Sequence, residues 1–193
     1  MCMQKKPNRC WETEDSLHIK YHDEEWGVPL HDDNKLFEFL VLGGFQAGLS
    51  WWLILQRRDA LREAFDNFNP CKISQYSSND IERLLESKGI IKNKAKINSA
   101  INNARAFLEV KKEFKSFDGF IWRFVDGRTR INFFSKLSDL PAETEESRTM
   151  SKELRNRGFQ FVGPTICYAF MQATGMVNDH LVNCFRYYEL QKQ

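Results

Sequence analysis

Residues 43–52 read Gly43-Gly44-Phe45-Gln46-Ala47-Gly48-Leu49-Ser50-Trp51-Trp52, and the fold turns on this stretch. Just before it, Leu36, Phe37, Leu40 and Val41 share one face at helical spacing. The helix breaks at Gly48 and restarts at Ser50, which is suited to the N-cap of a second apolar helix. Leu49 stands in the break, where no helix can hide it, with two tryptophans directly behind. Glycines that let backbone approach, an exposed apolar tip and neighbouring aromatic rings suit a flat, stacked ligand. The same residues also suit a tight helix–helix corner with both tryptophans in the core.

Outward from this stretch the periodicity predicts helices almost throughout. A short one over 16–26 stops at Gly27, ahead of Pro29, and Asp32 or Asp33 caps the next, over 34–46. The helix from Ser50 runs to about Phe65, and Pro70 opens a short one through Tyr76. Another begins near 78–80 with Ile81, Leu84 and Leu85 as its apolar stripe. A longer one over 93–112 carries Ile97, Ile101, Ala104, Phe107 and Leu108 at core spacing. Residues 117–125 are short and aromatic, 126–147 are polar and turn-rich, and two last helices cover 149–157 and 164–174. There is no convincing strand pair, repeat or low-complexity tract, so the chain reads as all-α.

With 193 residues, 42% of them hydrophobic and 16 of them Phe, the chain can bury a real core and is not a disordered polypeptide. A formal net charge of +2 neither demands nor excludes a nucleic acid. The five cysteines (Cys2, Cys10, Cys71, Cys167, Cys184) have no disulfide rhythm, and the first residues lack the apolar core of a secretory signal. No apolar run approaches the ~20 residues that span a bilayer. A cytoplasmic protein without membrane attachment is the expectation, with residues 1–9 as a mobile basic leader and 188–193 as a tail.

Two further patterns carry chemistry. Ser87-Lys88-Gly89-Ile90-Ile91-Lys92-Asn93-Lys94-Ala95-Lys96 joins two helices, with Gly89 at a left-handed C-cap and four lysines around the turn. The free N–H groups and dipole of the following helix attract a phosphate, and such a hairpin holds a DNA backbone without reading sequence. An ordinary αα-corner with solvated lysines has the same spacing. Cys10 and His22 lie near one end of the chain, His180 and Cys184 near the other. The second pair, H-x3-C, shares a face one turn apart if helical, and two thiolates with two imidazoles make a closed tetrahedral set for structural zinc. Four unrelated residues, buried histidines and free thiols packed as small hydrophobes, fit the spacing as well.

Several runs together resemble one family. They are Tyr-His-Asp-Glu-Glu-Trp-Gly-Val-Pro (21–29), Gln-Ala-Gly-Leu-Ser-Trp (46–51), the Gly89-Ile90-Ile91 turn, the run from Arg157 to Tyr168, Phe-Met-Gln-Ala (170–173) and Val-Asn-Asp-His (177–180). They resemble the DNA-3-methyladenine glycosylase I family from about Cys10 to Cys184. That resemblance implies a helix-hairpin-helix glycosylase domain over 10–187, with Zn2+ held by Cys10, His22, His180 and Cys184 to clip the two ends together. It implies a monofunctional base excision repair enzyme, a monomer, that acts on double-stranded alkylated DNA and releases 3-methyladenine. Trp11, Tyr21 and Trp51 match the family's pocket aromatics. Gln46, Gly48 and Leu49 match the loop that enters the duplex, and Gly89, Ile91, Lys92 and Lys94 match the hairpin that holds it. Trp26 and Trp52 are expected in the core.

The sequence departs from the family at Gly43, where the family places a glutamate that hydrogen-bonds the flipped base and favours its charge. His18 stands where a tyrosine is common. Glu38 and Asp23, the nearest acids in sequence, do not obviously replace the carboxylate. The chain therefore reads as a glycosylase, with reduced activity as a corollary, or else as a non-catalytic binder of alkylated DNA on the same scaffold. A zinc-organised interaction domain without DNA affinity is a third reading.

Overall fold

A computed structural model describes residues 8–192. Cys2 and residues 1–7 of the expected leader lie outside the described residues, as does Gln193. Asn8 and Arg9 are tied down: Asn8 Nδ2 donates to the Asn183 carbonyl at 2.8 Å, and Arg9 pairs with Asp23 at 2.7 Å.

The helices are α1 (Ser16–Glu24), α2 (Asp33–Gln46), α3 (Trp51–Ala64), α4 (Pro70–Ile73), α5 (Ser78–Glu86) and α6 (Lys94–Phe114). After these come α7 (Phe117–Trp122), α8 (Glu145–Asn156), α9 (Pro164–Ala173) and α10 (Phe185–Glu189). Helix α2 is the axis of the molecule. Every residue from Leu36 to Phe45 is buried, and its neighbours α3, α6, α7 and α9 enclose it. A helix that is buried on all sides must be apolar all round. Glu38, the one charge in that run, survives by pairing with Arg62 at 2.7 Å.

The caps explain the boundaries. Asp32 accepts from Lys35 N, Ser50 from Leu53 N and Asn93 from Lys96 N, each satisfying a free N–H of the first turn. Three expectations need correction. Helix α8 starts at Glu145, ahead of Thr149, because Thr144 and Ser147 exchange side-chain hydrogen bonds with each other's backbone. A parallel pair, β1 (Arg130–Ile131) with β2 (Val177–Asn178), joins the turn-rich stretch to the end of α9. Two residues per strand are too few to show alternation in sequence. Helix α10 was not foreseen either.

Candidate functional site

A cavity of about 140 Å³ lies between α1, α2, α3 and α9. Its aromatic walls are Tyr21, Trp26, Phe39, Trp51 and Phe170. Trp51 stacks on Phe39 with planes 20° apart, and the Tyr21 ring lies 5.6 Å from it. Small residues make the room. Gly43 on α2 faces Ala169 and Ala173, one turn apart on α9, and a Cβ at Gly43 would meet Ile166 Cγ2 at 3.3 Å. At Gly44 a Cβ would meet Phe161 Cβ at 3.5 Å, an ordinary contact. Gly43 therefore carries both close packing and the space for a ligand.

The polar groups on the walls are few. Burial, then Glu25, pushes the Tyr21 phenol up, so it stays an O–H donor. Gln46 and Gln172 supply amides, and among the described residues no charged side chain lines the cavity. Glu38 and Asp23 are both engaged elsewhere, with Arg62 and with Arg9 and His22. Gly43, where the resemblance leads one to expect a carboxylate, thus falls on a wall, and among the described residues no acid lines the cavity.

Of the three expected base-binding aromatics, Tyr21 and Trp51 meet in the cavity, whereas Trp11 is not among its walls. Trp11 packs edge-on against Trp26, 5.0 Å away, and so supports the wall from behind. Trp26, assigned to the core, is both buried and a wall. His18 lies between Trp11 and Trp52, 5.3 and 5.1 Å from their rings, so an aromatic stack persists where tyrosine is common. Its pKa is lowered by burial. Gln172 was missed, although a lone amide on an otherwise apolar helix was the available signal.

Beside the cavity the chain leaves α2 through Gln46, turns at Gly48 with φ +75°, and presents Leu49 to solvent at 37% exposure. A positive φ suits glycine, so this turn needs Gly48. The hairpin between α5 and α6 turns at Gly89, φ +83°, where a Cβ would strike Ala60 at 2.9 Å. Ile90 is buried, Ile91 half-buried, and Lys88, Lys92 and Lys94 face solvent. Lys96 does not join them. It is buried, and its Nζ donates to the carbonyls of Phe45 at 2.7 Å and Ala47 at 2.6 Å. The hairpin helix thereby holds the end of α2 from which Leu49 projects, where a cation also meets the negative end of the helix dipole. Burial lowers the Lys96 pKa.

Cys10, His22, His180 and Cys184 converge, all buried, with their ligand atoms within 4.8 Å of one another. His180 and Cys184, which a helix would place on one face, are not helical here. A turn closed by Cys184 N to the Leu181 carbonyl joins them, and Cys184 caps α10. Sulfur and nitrogen donors stand 3.4–3.5 Å apart (Cys10 Sγ to His180 Nδ1, and Cys184 Sγ to His22 Nε2 and His180 Nδ1). A tetrahedral ion with bonds of about 2.0–2.3 Å spaces such donors ~3.6 Å apart. The other ring nitrogens are anchored: His22 Nδ1 to Asp23 at 2.7 Å, and His180 Nε2 to the Trp26 carbonyl at 2.9 Å. Those anchors turn Nδ1 of His180 and Nε2 of His22 toward the thiols, and His22 Nε2 also accepts from the Cys10 backbone N–H at 3.2 Å. The hydrogen bond from Cys10, then those from His180 and His22, pulls the Cys184 thiol toward thiolate. Chemically the set fits a metal.

Comparison with known proteins agrees with this architecture. Residues 11–187 match the family model described as methyladenine glycosylase. The chain is 47% identical over 180 residues to DNA-3-methyladenine glycosylase 1 of Escherichia coli, covering 93% of this chain and 96% of that one. A crystal structure of 3-methyladenine DNA glycosylase I superposes with a TM-score of 0.90 at 48% identity, covering 92% and 98% of the two chains. A variant of 3-methyladenine DNA glycosylase I in complex with 3-methyladenine gives 0.88 at 34% identity, covering 90% and 93%. The fold is that of the 3-methyladenine DNA glycosylases. The chain belongs to the methyladenine glycosylase family.

Proposed function

We propose that this chain is a monomeric base excision repair glycosylase that hydrolyses the N-glycosidic bond of 3-methyladenine in double-stranded alkylated DNA. The observation that carries this reading is the uncharged aromatic cavity directly beside the exposed Leu49 tip. A stacked base is out of reach, so it has to be extruded into such a pocket. Leu49 fills the gap in the duplex while the hairpin, through Gly89, Ile91, Lys92 and Lys94, grips the backbone. Gln46 and Gly48 set the path of the tip.

Methylation at N3 makes the nucleobase cationic, and the faces of Trp51 and Tyr21 favour a cation. When the N-glycosidic bond breaks, its electron pair moves onto the base and neutralises it. Water adds to the sugar carbon and loses a proton, giving an abasic site. The leaving group is good, so the protein's task is to bind, orient and desolvate, and the Tyr21 hydroxyl serves as a donor to the base.

One observation favours a second reading, a non-catalytic binder of alkylated DNA: the wall position of the family's carboxylate is Gly43. Product-resolved release of free base from methylated duplex separates the two. Free 3-methyladenine establishes the enzyme; retained affinity for alkylated duplex with no base released leaves the binder. Absence of salt-dependent duplex binding would remove both.

We further propose that Cys10, His22, His180 and Cys184 hold a structural zinc ion. The support is the 3.4–3.5 Å donor spacing and the anchored second nitrogens of both histidines. Such an ion would supply folding free energy rather than chemistry, by fastening the start of the described chain to the residues before α10.

A further inference from the structure

Three carboxylates approach the cavity from behind its walls. Glu25, next to Trp26, is gripped by Arg58 at 2.5 and 2.7 Å, and Glu38, next to Phe39, by Arg62 at 2.7 Å. Both are neutralised by their partners. The third, Asp179, is 1% exposed and forms no ion pair among the described residues. It accepts three hydrogen bonds, all from neutral groups: Asn132 Nδ2 at 2.7 Å, Tyr168 OH at 2.7 Å and Gln172 Nε2 at 2.8 Å. Burial, then the bond to Asp179, holds Tyr168 protonated as a donor. Only Gln172 of these partners belongs to the cavity wall.

We propose that Asp179, acting through Gln172, is the positioning residue that gives this cavity its preference for a cationic base. The proposal rests on the reading that the cavity receives the methylated base. A carboxylate can only accept, so the bond assigns Nε2 of Gln172 to Asp179 and leaves Oε1 as the free acceptor of the amide. An amide whose N–H is bound to an anion has a more strongly accepting oxygen. The exocyclic amino group of adenine is a donor that such an oxygen recognises. Behind that contact stands a carboxylate with no cationic partner among the described residues, which attracts a base carrying a full positive charge and does nothing comparable for a neutral one. Gly43 leaves no carboxylate in contact with the ligand, so discrimination by charge falls to Asp179.

The test compares two small probes on the full chain, read by quenching of tryptophan fluorescence. One is 3,9-dimethyladeninium, a permanent cation in which methyl replaces the sugar; the other is neutral 3-methyladenine. The wild type should bind the cation more tightly. Asp179→Asn should weaken cation binding by about twenty-fold, the scale of one charge acting over ~8–10 Å at an effective dielectric constant near 20. Binding of the neutral probe should change less than about two-fold. Equal losses for both probes would assign Asp179 a merely structural role and overturn the proposal, as would a wild type without cation preference. Should Asp179→Asn not fold, Gln172→Leu breaks the relay while leaving Asp179 bonded to Tyr168 and Asn132. Its cation preference must fall too, and an unchanged ratio overturns the proposal. A wild type that binds neither probe refutes the reading of the cavity itself, a result distinct from binding without discrimination.

Discussion

Gly43→Glu should raise the rate of base release by ten- to a hundred-fold. Gly43 lies inside α2 with no positive φ, so the backbone accepts a side chain without strain. The nearest obstacle to a Cβ is Ile166 Cγ2 at 3.3 Å, which has to give by a few tenths of an ångström. Replacing glycine in a helix interior gains about 1 kcal/mol. That gain is offset by the Ile166 contact and by burial of a carboxylate in an apolar wall, so stability should stay within about 1 kcal/mol of the parent. In the complex the carboxylate meets a cationic base, and a charge-assisted hydrogen bond of this kind contributes roughly 1.5–3 kcal/mol. At 1.4 kcal/mol per factor of ten this gives the predicted range.

The assay is single-turnover release of 3-methyladenine from methylated duplex, with affinity for unmodified duplex measured alongside. Affinity should not move, because Gly43 lines the cavity and the exposed hairpin lysines do not. Gly43→Ala is the control: it gains helix propensity, shifts the melting temperature by no more than a few degrees and leaves the rate where it was. A rate for Gly43→Glu equal to that of Gly43→Ala would refute the reasoning. Charge at residue 43 would then be irrelevant to the step that limits this chain.

Four other perturbations address the remaining parts. Cys184→Ser or His180→Ala should release zinc and lower the melting temperature, and metal content unchanged by elemental analysis would exclude that donor set. Leu49→Ala should slow excision from duplex while leaving 3-methyladenine binding intact; equal loss on both would show that the tip acts inside the cavity. Lys92→Ala with Lys94→Ala should weaken every duplex alike and lower the salt slope by about 2, and an altered base preference would displace the hairpin from the backbone. Lys96→Met, which removes the hydrogen bonds to the Phe45 and Ala47 carbonyls, should slow duplex excision more than it affects probe binding. Excision at the wild-type rate would uncouple the hairpin from the tip.

The sequence made the helices legible where apolar residues recur at helical spacing and a cap precedes them, as in α2, α3 and α6. It failed where structure depends on distant partners. Strand β1 exists because residues 176–178 pass beside it, and nothing within 130–131 announces that. The Cys/His set was legible as chemistry but its geometry was not: the spacing allowed a helix, whereas a turn brings His180 and Cys184 to one point. Counting lysines around the hairpin overstated the basic face, since Lys96 points inward to carbonyls that are 49 and 51 residues away. The cavity walls show the same limit. Tyr21 and Trp51 were visible as aromatics in specific runs, whereas Gln172 and Asp179 acquire meaning only through their contact.

The C-terminal half of α2 brings these parts into one mechanical unit. Gly43 and Gln46 line the cavity, the helix ends at Gln46, and Leu49 projects three residues later. Lys96, in the first turn after the hairpin, is hydrogen-bonded to the carbonyls at that end. In the proposed reading, a phosphate held at the hairpin would fix where the tip enters, and the tip where the extruded base arrives. None of these steps passes through the side chain at residue 43. A glycine there is compatible with the whole apparatus of placement and removes only a contact made after the base has arrived. On the proposed reading, lesion-dependent placement and bond cleavage are separable in this chain, and a loss confined to the second would leave the protein bound where a repair enzyme stands.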